Sequence, residues 1–143
     1  MEISVRSVTA ADVTAVNNLS QQLGYPLSES QTLQNIKAML SRDDLTAFVA
    51  VKQDHIVGWI GLAQIIIIES IPYCEITGLI IDENYRGKGI GKMLIEKAKD
   101  WTKEKESDKL KVRCNVIRAE AHLFYQHLGF IPTKQQTNFE MSV

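Results

Sequence analysis

Cysteine, proline and aromatic residues are all scarce in this chain. Cys74 and Cys114 are the two cysteines among 143 residues. That is no disulfide framework, and with no CxxC spacing to suggest zinc, no metal is expected. Long apolar runs are missing as well: Ile65–Ile68, inside "WIGLAQIIIIES", is too short to cross a bilayer. Neither sign of charge dominates, since 16 Lys and Arg against 17 Asp and Glu leave a net charge of −1. No basic block offers a surface for nucleic acid. The opening "MEISVRSVTAADV" has the pattern of neither a signal peptide nor a transit peptide. A reduced, cytoplasmic compartment is the expectation, with neither nucleic acid nor membrane as partner.

What is present suits one globular domain over residues 1–143, with 45% hydrophobic and 23% charged residues. Ile3 and Val5 alternate with polar neighbours and predict a strand over 2–8. Thr9 and Asp12 in "TAAD" form a capping-box pattern for a helix carrying Val13, Val16, Leu19 and Leu23, ended by Gly24 and Pro26. Leu33, Ile36 and Leu40 mark a second helix after the cap candidates Ser28 and Ser30. Strands follow at 46–51, 56–68 and 74–82, the first two joined by a turn at "KQDH". Ile90, Leu94, Ala98 and Trp101 recur at helical spacing. Residues 109–116 are the next strand, 119–128 a fourth helix ended by Gly129, and "FIPTKQQTNFEMS" a terminal hairpin. The expected fold is α/β, in the order β-α-α-β-β-β-α-β-α-β-β, a mixed sheet of about seven strands with four helices. The strand–helix–strand unit from 74 to 116 makes its two strands parallel. The isoleucine run points apolar side chains to both faces of its strand. Either both faces are covered within the domain, or a bare one is a patch that a second subunit covers as a two-fold homodimer.

One stretch carries chemistry. "NYRGKGIGKML" (84–94) crowds glycines and lysines between a strand and a helix. A Walker A loop is excluded, because Gly91-Lys92 is followed by Met93 and no glycine lies five positions before Gly91. A dinucleotide-binding GxGxxG fails as well, since Lys92 stands at the third glycine position. What remains is Arg86-x-x-Gly89-x-Gly91. Its glycines let successive amides turn inward as an anion-binding nest, joined by the free N–H groups of the helix's first turn. Arg86, Lys88 and Lys92 add full charges. A pyrophosphate fits such a site; a plain, solvated strand-to-helix turn is the alternative.

The stretch "EITGLIIDENYRGKGIGKMLIEKA" resembles the acetyl-CoA-binding segment of the GNAT superfamily of N-acetyltransferases. "AHLFYQHLGF" (121–130) is similar to that family's A-x-x-x-Y-x-x-x-G-F helix ending, at the expected distance downstream. The expected element order agrees with the family fold over essentially the whole chain, with the parallel strands 4 and 5 splayed apart. "ESIPYCEITGLIIDE" and "TKQQTNFE" also look like a group of small bacterial members.

The resemblance implies acetyl-CoA as cosubstrate, held by Leu79, Ile80 and Ile81 at the strand end and by Arg86, Gly87, Lys88, Gly89, Ile90, Gly91 and Lys92 in the loop. The family often has Asn seven positions before the tyrosine, where this chain has Arg118. Asn115, three residues earlier, is the candidate contact for the pantetheine arm instead. The implied reaction is direct attack of a primary amine on the thioester in a ternary complex, without an acyl-enzyme. Tyr125 is the implied general acid to the leaving thiolate and a further cofactor contact. Glu75 is the candidate base, or else a carboxylate that only binds a cationic acceptor or sits on a strand end. Glu69 is the second candidate and could position the amine. His55, His122 and His127 read as surface histidines, and both cysteines as small core residues. The acceptor is a small-molecule or peptide amine. The competing reading is an acetyl-CoA-binding sensor or regulatory module without turnover; a nucleotide-binding regulatory domain is a third.

Overall fold

The computed structural model describes residues 2–114 and 118–143. They fall into two compact units, residues 1–112 and 113–143. The first holds five strands, β1 (Ser4–Ser7), β2 (Leu45–Lys52), β3 (His55–Ile65), β4 (Tyr73–Ile81) and β5 (Leu110–Val112), and three helices, α1 (Val13–Gln22), α2 (Glu29–Leu40) and α3 (Ile90–Glu104). The second holds α4 (Ala119–His127).

The strands form one sheet in chain order, antiparallel from β1 to β4 and parallel between β4 and β5. The parallel pair expected from the strand–helix–strand unit is therefore present. Strand alternation divides the core. Ala47 and Val49 face Val16 of α1 and Ile36 of α2 in one buried cluster, with Trp59 packed against it. Phe48 points the other way, where Lys97 of α3 lies over its ring. The predicted apolar stripe of α3 is fully inside: Ile90, Leu94, Ala98 and Trp101 are all buried, as is Cys74 on β4.

Local chemistry sets the helix ends. Ser28 caps α2, its hydroxyl accepting the Gln31 N–H at 3.1 Å, which selects it over Ser30. Before α1 the expected Thr9–Asp12 capping box is present, on the 3-10 turn Ala10–Asp12 that leads into the helix. Asp12 accepts the Thr9 N–H at 2.8 Å, but its carboxylate also takes both ends of the Arg6 guanidinium. That bidentate pair holds the Asp12 carboxyl below its usual pKa. Asn17 is buried, and its amide donates to Leu27 O at 2.7 Å and Thr32 Oγ1 at 3.0 Å, which pins the α1–α2 connection.

Two expectations need correction. The sheet has five strands rather than about seven, because residues 128–143 form no strand among the described residues. Their apolar side chains, Ile131, Phe139 and Met141, are exposed. With those side chains exposed, a hairpin gains too little burial to offset chain entropy. The second concerns the isoleucine run, of which only Ile65 belongs to β3. β4 begins opposite it at Tyr73, so Ile66, Ile67 and Ile68 lie in the connection and are exposed. Their apolar character could not hold them in a strand without a partner to complete the ladder.

Trp59 shapes the middle of the sheet. Its indole lies across the strand backbone at Gly61 and Gly78, and a Cβ added at Gly78 would meet the ring at 2.9 Å. Among the described residues its buried Nε1–H has no acceptor. Gly78→Ala therefore forces either the ring or β4 to shift, with an expected loss of about 1–3 kcal/mol in urea denaturation. Stability equal to the wild type would mean that the indole swings clear at no cost.

Candidate acyl-carrier and amine site

β4 is irregular where it matters. Gly61 of β3 lies opposite Gly78, but Leu62 lies opposite Ile76, so Thr77 has no partner on β3. Such a bulge bends the strand and re-aims its peptide groups. On its other side β4 pairs with β5 through Cys74, Glu75 and Ile76 only. Among the described residues no strand covers that edge from Thr77 to Ile81, so peptide groups of Thr77–Ile81 that point that way have no ladder partner. Leu79, Ile80 and Ile81 lie on this open stretch. Ile80 is buried and the other two half-buried, so what they offer a ligand is chiefly backbone.

The glycine loop begins where β4 ends. Asp82 donates its N–H to Val57 O, and its carboxylate accepts the Asn84 N–H at 3.0 Å. A single 3-10 turn, Glu83–Tyr85, follows. Arg86 folds back, its Nε donating to Ile81 O at 3.4 Å. Gly87 and Gly89 then take φ of 75° and 82°, values that side-chain-bearing residues rarely adopt, with open space above both. Gly89 is the N-cap of α3, so no side chain caps that end, and no acidic residue stands in the first turn. The first helical bond is Met93 N–H to Gly89 O at 3.1 Å, which leaves the earlier amides of the turn for another acceptor. Arg86, Lys88 and Lys92 are exposed around them. These residues fit a diphosphate: amides on the inside, the positive end of the helix dipole behind them, and cations at the rim.

The carboxylates separate in character. Glu75 is 8% exposed, between Ala63 on β3 and Lys111 on β5. The Lys111 ammonium lies 4.0 Å from the Tyr73 ring centroid. Glu69 is exposed, in the turn that precedes β4. A cavity of about 540 Å³ opens between the end of α1 and the start of α2, lined by Gln21, Gly24, Tyr25, Pro26, Leu27 and Ser28. No charged side chain lines it, so it is not by itself a cation site.

In the second unit, the sequence pattern around Tyr125 has a physical cause. Gly129 has φ of 99°; its N–H donates to Gln126 O at 3.0 Å, and the Phe130 N–H to Tyr125 O at 3.0 Å. This is a Schellman motif, in which glycine supplies the left-handed residue and the residue after it packs back on the last turn. Phe130 does so, its ring edge-on to Tyr125 with centroids 5.5 Å apart, while Phe124 makes a second edge contact at 5.2 Å. Burial raises the Tyr125 pKa above its ordinary value, Cys114 acts in the same direction, and the Arg118 cation opposes both. Arg118 is the N-cap residue of α4 and makes no side-chain cap. Asn115 lies outside the described residues.

Sequence reasoning missed three features of the first unit. The Thr77 bulge was signalled by glycines inside strand patterns, Gly61 and Gly78. Gln22 accepts the Glu83 N–H at 3.1 Å and so ties α1 to the glycine loop; nothing local marks it. Lys52, at the end of β2, holds its ammonium 5.4 Å from the Tyr85 ring centroid, a contact that only the sheet topology creates.

Comparison with known proteins bears on the fold and the family. An aminoglycoside N(6')-acetyltransferase type 1 from Stenotrophomonas maltophilia is 23% identical over 145 residues, covering 96% of this chain and 92% of the relative. The structure of an aminoglycoside 6'-N-acetyltransferase, AAC(6')-Ih from Acinetobacter baumannii, superposes with a TM-score of 0.87 at 16% identity, covering 99% of each chain. AAC(6')-Iy, solved with a bisubstrate analogue made of coenzyme A and acetylneamine, reaches 0.89 at 18% identity over 100% of both chains. The sequence profile of the acetyltransferase (GNAT) family matches residues 13–130. The chain therefore belongs to the acetyltransferase (GNAT) family, the N-acetyltransferases that use acetyl-CoA.

Proposed function

We propose that the chain transfers an acetyl group from acetyl-CoA to a primary amine of a small, cationic acceptor, by direct attack in a ternary complex. The observation that carries this reading is the uncapped N-terminus of α3 with Gly87 and Gly89 in left-handed conformation, set at the end of a strand whose outer edge, among the described residues, is open beyond Ile76. The loop from Arg86 to Lys92 would hold the diphosphate, and the open peptides near Leu79, Ile80 and Ile81 the pantetheine arm, with Asn115 as a further contact. Fixing the thioester in this way leaves the amine as the group to be brought in and deprotonated. We read residues 1–143 as one N-acetyltransferase domain, since the family match runs across both units. A cytoplasmic homodimer belongs to the same proposal; the exposed Ile66, Ile67, Ile68 and Ile71 support a covered surface there. No helix among the described residues is long and apolar enough to cross a membrane.

An alkylamine with pKa near ~10.4 is almost wholly protonated at neutral pH. A carboxylate that attracts the cation and accepts its proton, directly or through water, serves both needs. Glu75 takes that role here, and Glu69 helps to draw in the amine. Tyr125 donates a hydrogen bond or proton to the departing thiolate. Its hydroxyl keeps its proton throughout the neutral range, and because burial raises the pKa it serves as a hydrogen-bond donor more readily than as a full proton donor. The named activities of the relatives favour an amino sugar of the aminoglycoside class as acceptor.

The direct test is acetyl-CoA-dependent thiol release across aminoglycosides, polyamines, amino acids and lysine peptides. Release above the no-acceptor background, highest with an aminoglycoside, is expected. Coenzyme binding without release for any amine would replace the enzyme with an acetyl-CoA sensor. Gly89→Asp puts a side chain and a negative charge into the nest, and should weaken acetyl-CoA binding at least tenfold while the chain stays folded. A folded variant with unchanged affinity would remove the loop from the site. Tyr125→Phe should lower kcat roughly ten- to a hundredfold with acetyl-CoA affinity nearly unchanged, the lower part of the usual range because thiolate is already a good leaving group. Wild-type kcat would return the residue to a purely structural role.

A further inference from the structure

Coenzyme A carries two separate anionic groups, the diphosphate and a monophosphate on the ribose 3′ carbon. The glycine loop accounts for the first. Beside it the chain gathers a second positive locus that the loop itself does not require. Tyr85 is half-buried at the end of the 3-10 turn before Arg86. Two ammonium groups lie over its ring, Lys88 at 5.6 Å and Lys52 at 5.4 Å from the centroid. Lys88 comes from the loop, between Gly87 and Gly89. Lys52 comes from the end of β2, brought there by the tight turn to His55.

Gathering two like charges on one ring is unfavourable between the charges. Each cation–π contact returns only about 0.5–1 kcal/mol at an exposed site. A carboxylate would relieve the repulsion, yet neither lysine is ion-paired among the described residues, where the pairs are Arg6–Asp12, Arg42–Asp44 and Lys99–Glu96. Asp82, close in sequence, spends its carboxylate on the Asn84 amide. The arrangement is therefore two cations held over one aromatic ring, with no ion-pair partner for either among the described residues. A phosphate monoester, with a second pKa near ~6 and three acceptor oxygens, supplies that charge.

We propose that Lys52 and Lys88 bind the ribose 3′-phosphate of coenzyme A, with Tyr85 holding the two ammonium groups in place, so that the chain distinguishes coenzyme A from its 3′-dephospho form. The proposal rests on the reading of residues 86–92 as the diphosphate site. Lys52 is the specificity-determining member, because it lies outside the glycine loop and contributes nothing to the nest.

Calorimetric titration of coenzyme A and 3′-dephospho-coenzyme A into the wild type, Lys52→Met and Lys52→Arg tests this without turnover. Methionine keeps the apolar stem over Tyr85 and removes only the charge. The wild type should bind coenzyme A roughly tenfold or more tightly than the dephospho form, the scale of one charge-assisted contact. Lys52→Met should lose most of that ratio through weaker coenzyme A binding alone, and Lys52→Arg should keep most of it. A wild type that binds both forms equally overturns this inference and leaves the acetyltransferase reading standing. Equal weakening of both ligands in Lys52→Met also overturns it, moving Lys52 to the diphosphate. A wild type that binds neither form overturns the coenzyme site itself.

Discussion

Parallel strands cannot be joined by a tight turn, so pairing β4 with β5 obliges the chain to leave the sheet, cross it as a helix and return. That crossover is α3, and its buried stripe of Ile90, Leu94, Ala98 and Trp101 holds it to the sheet. The chain must also reverse between Ile81 and Ile90, at the end of β4, and that reversal is the glycine loop. The first-turn amides of α3 therefore emerge beside the carboxyl end of a strand, which is where open α/β sheets gather their ligands. Among the described residues the ladder to β5 stops at Ile76 and Val112, so the strand that delivers the chain to the loop reaches it with no described strand along one edge.

The electrostatics of the site are local rather than global. A net charge of −1 over the chain gives no long-range attraction for an anion. In the proposed diphosphate site the attraction would come from dipoles and charges within one turn: amides at residues 87–92, the N-terminal end of α3, and Arg86, Lys88 and Lys92 at the rim. Exposed charges are screened beyond about 8 Å at physiological ionic strength, so the lysines act at contact range. For the proposed ligand the amides would need little reorganisation, since Gly87 and Gly89 already hold left-handed backbone.

The parts of this fold that were legible in the sequence are those in which one physical cause acts locally. The α3 stripe, the hydroxyl cap at Ser28 and the glycine loop are all written in short windows, and each lies where its pattern predicts. What could not be read depends on partners distant in sequence. The isoleucines at 66–68 have strong strand propensity, yet β4 pairs back only from Tyr73 and leaves them in a connection. The terminal segment has a hairpin's alternation, but its apolar side chains Ile131, Phe139 and Met141 stay exposed. The contact of Lys52 with Tyr85 spans 33 positions of sequence and exists only because the β2–β3 turn and the glycine loop share one end of the sheet. Strand glycines did carry a usable signal: Gly61 and Gly78 mark the bulge and the bed of the Trp59 ring.

The Y-x-x-x-G-F pattern shows how a structural device can leave one atom for chemistry. Gly129 is required by the left-handed backbone, and Phe130 follows it to close on the last turn of α4. The Tyr125 carbonyl accepts the closing N–H, and its ring is wedged edge-on between Phe124 and Phe130. Backbone and ring are thus both committed to ending the helix, and a phenylalanine would meet every one of those demands. The hydroxyl alone is surplus to them. It is also the group whose proton burial secures, because the phenolate would have to exist where water is partly excluded. A protonated donor with no helix-ending duty is what a leaving thiolate needs, and that separation of duties within one side chain is the reason to look for function at the oxygen rather than at the ring.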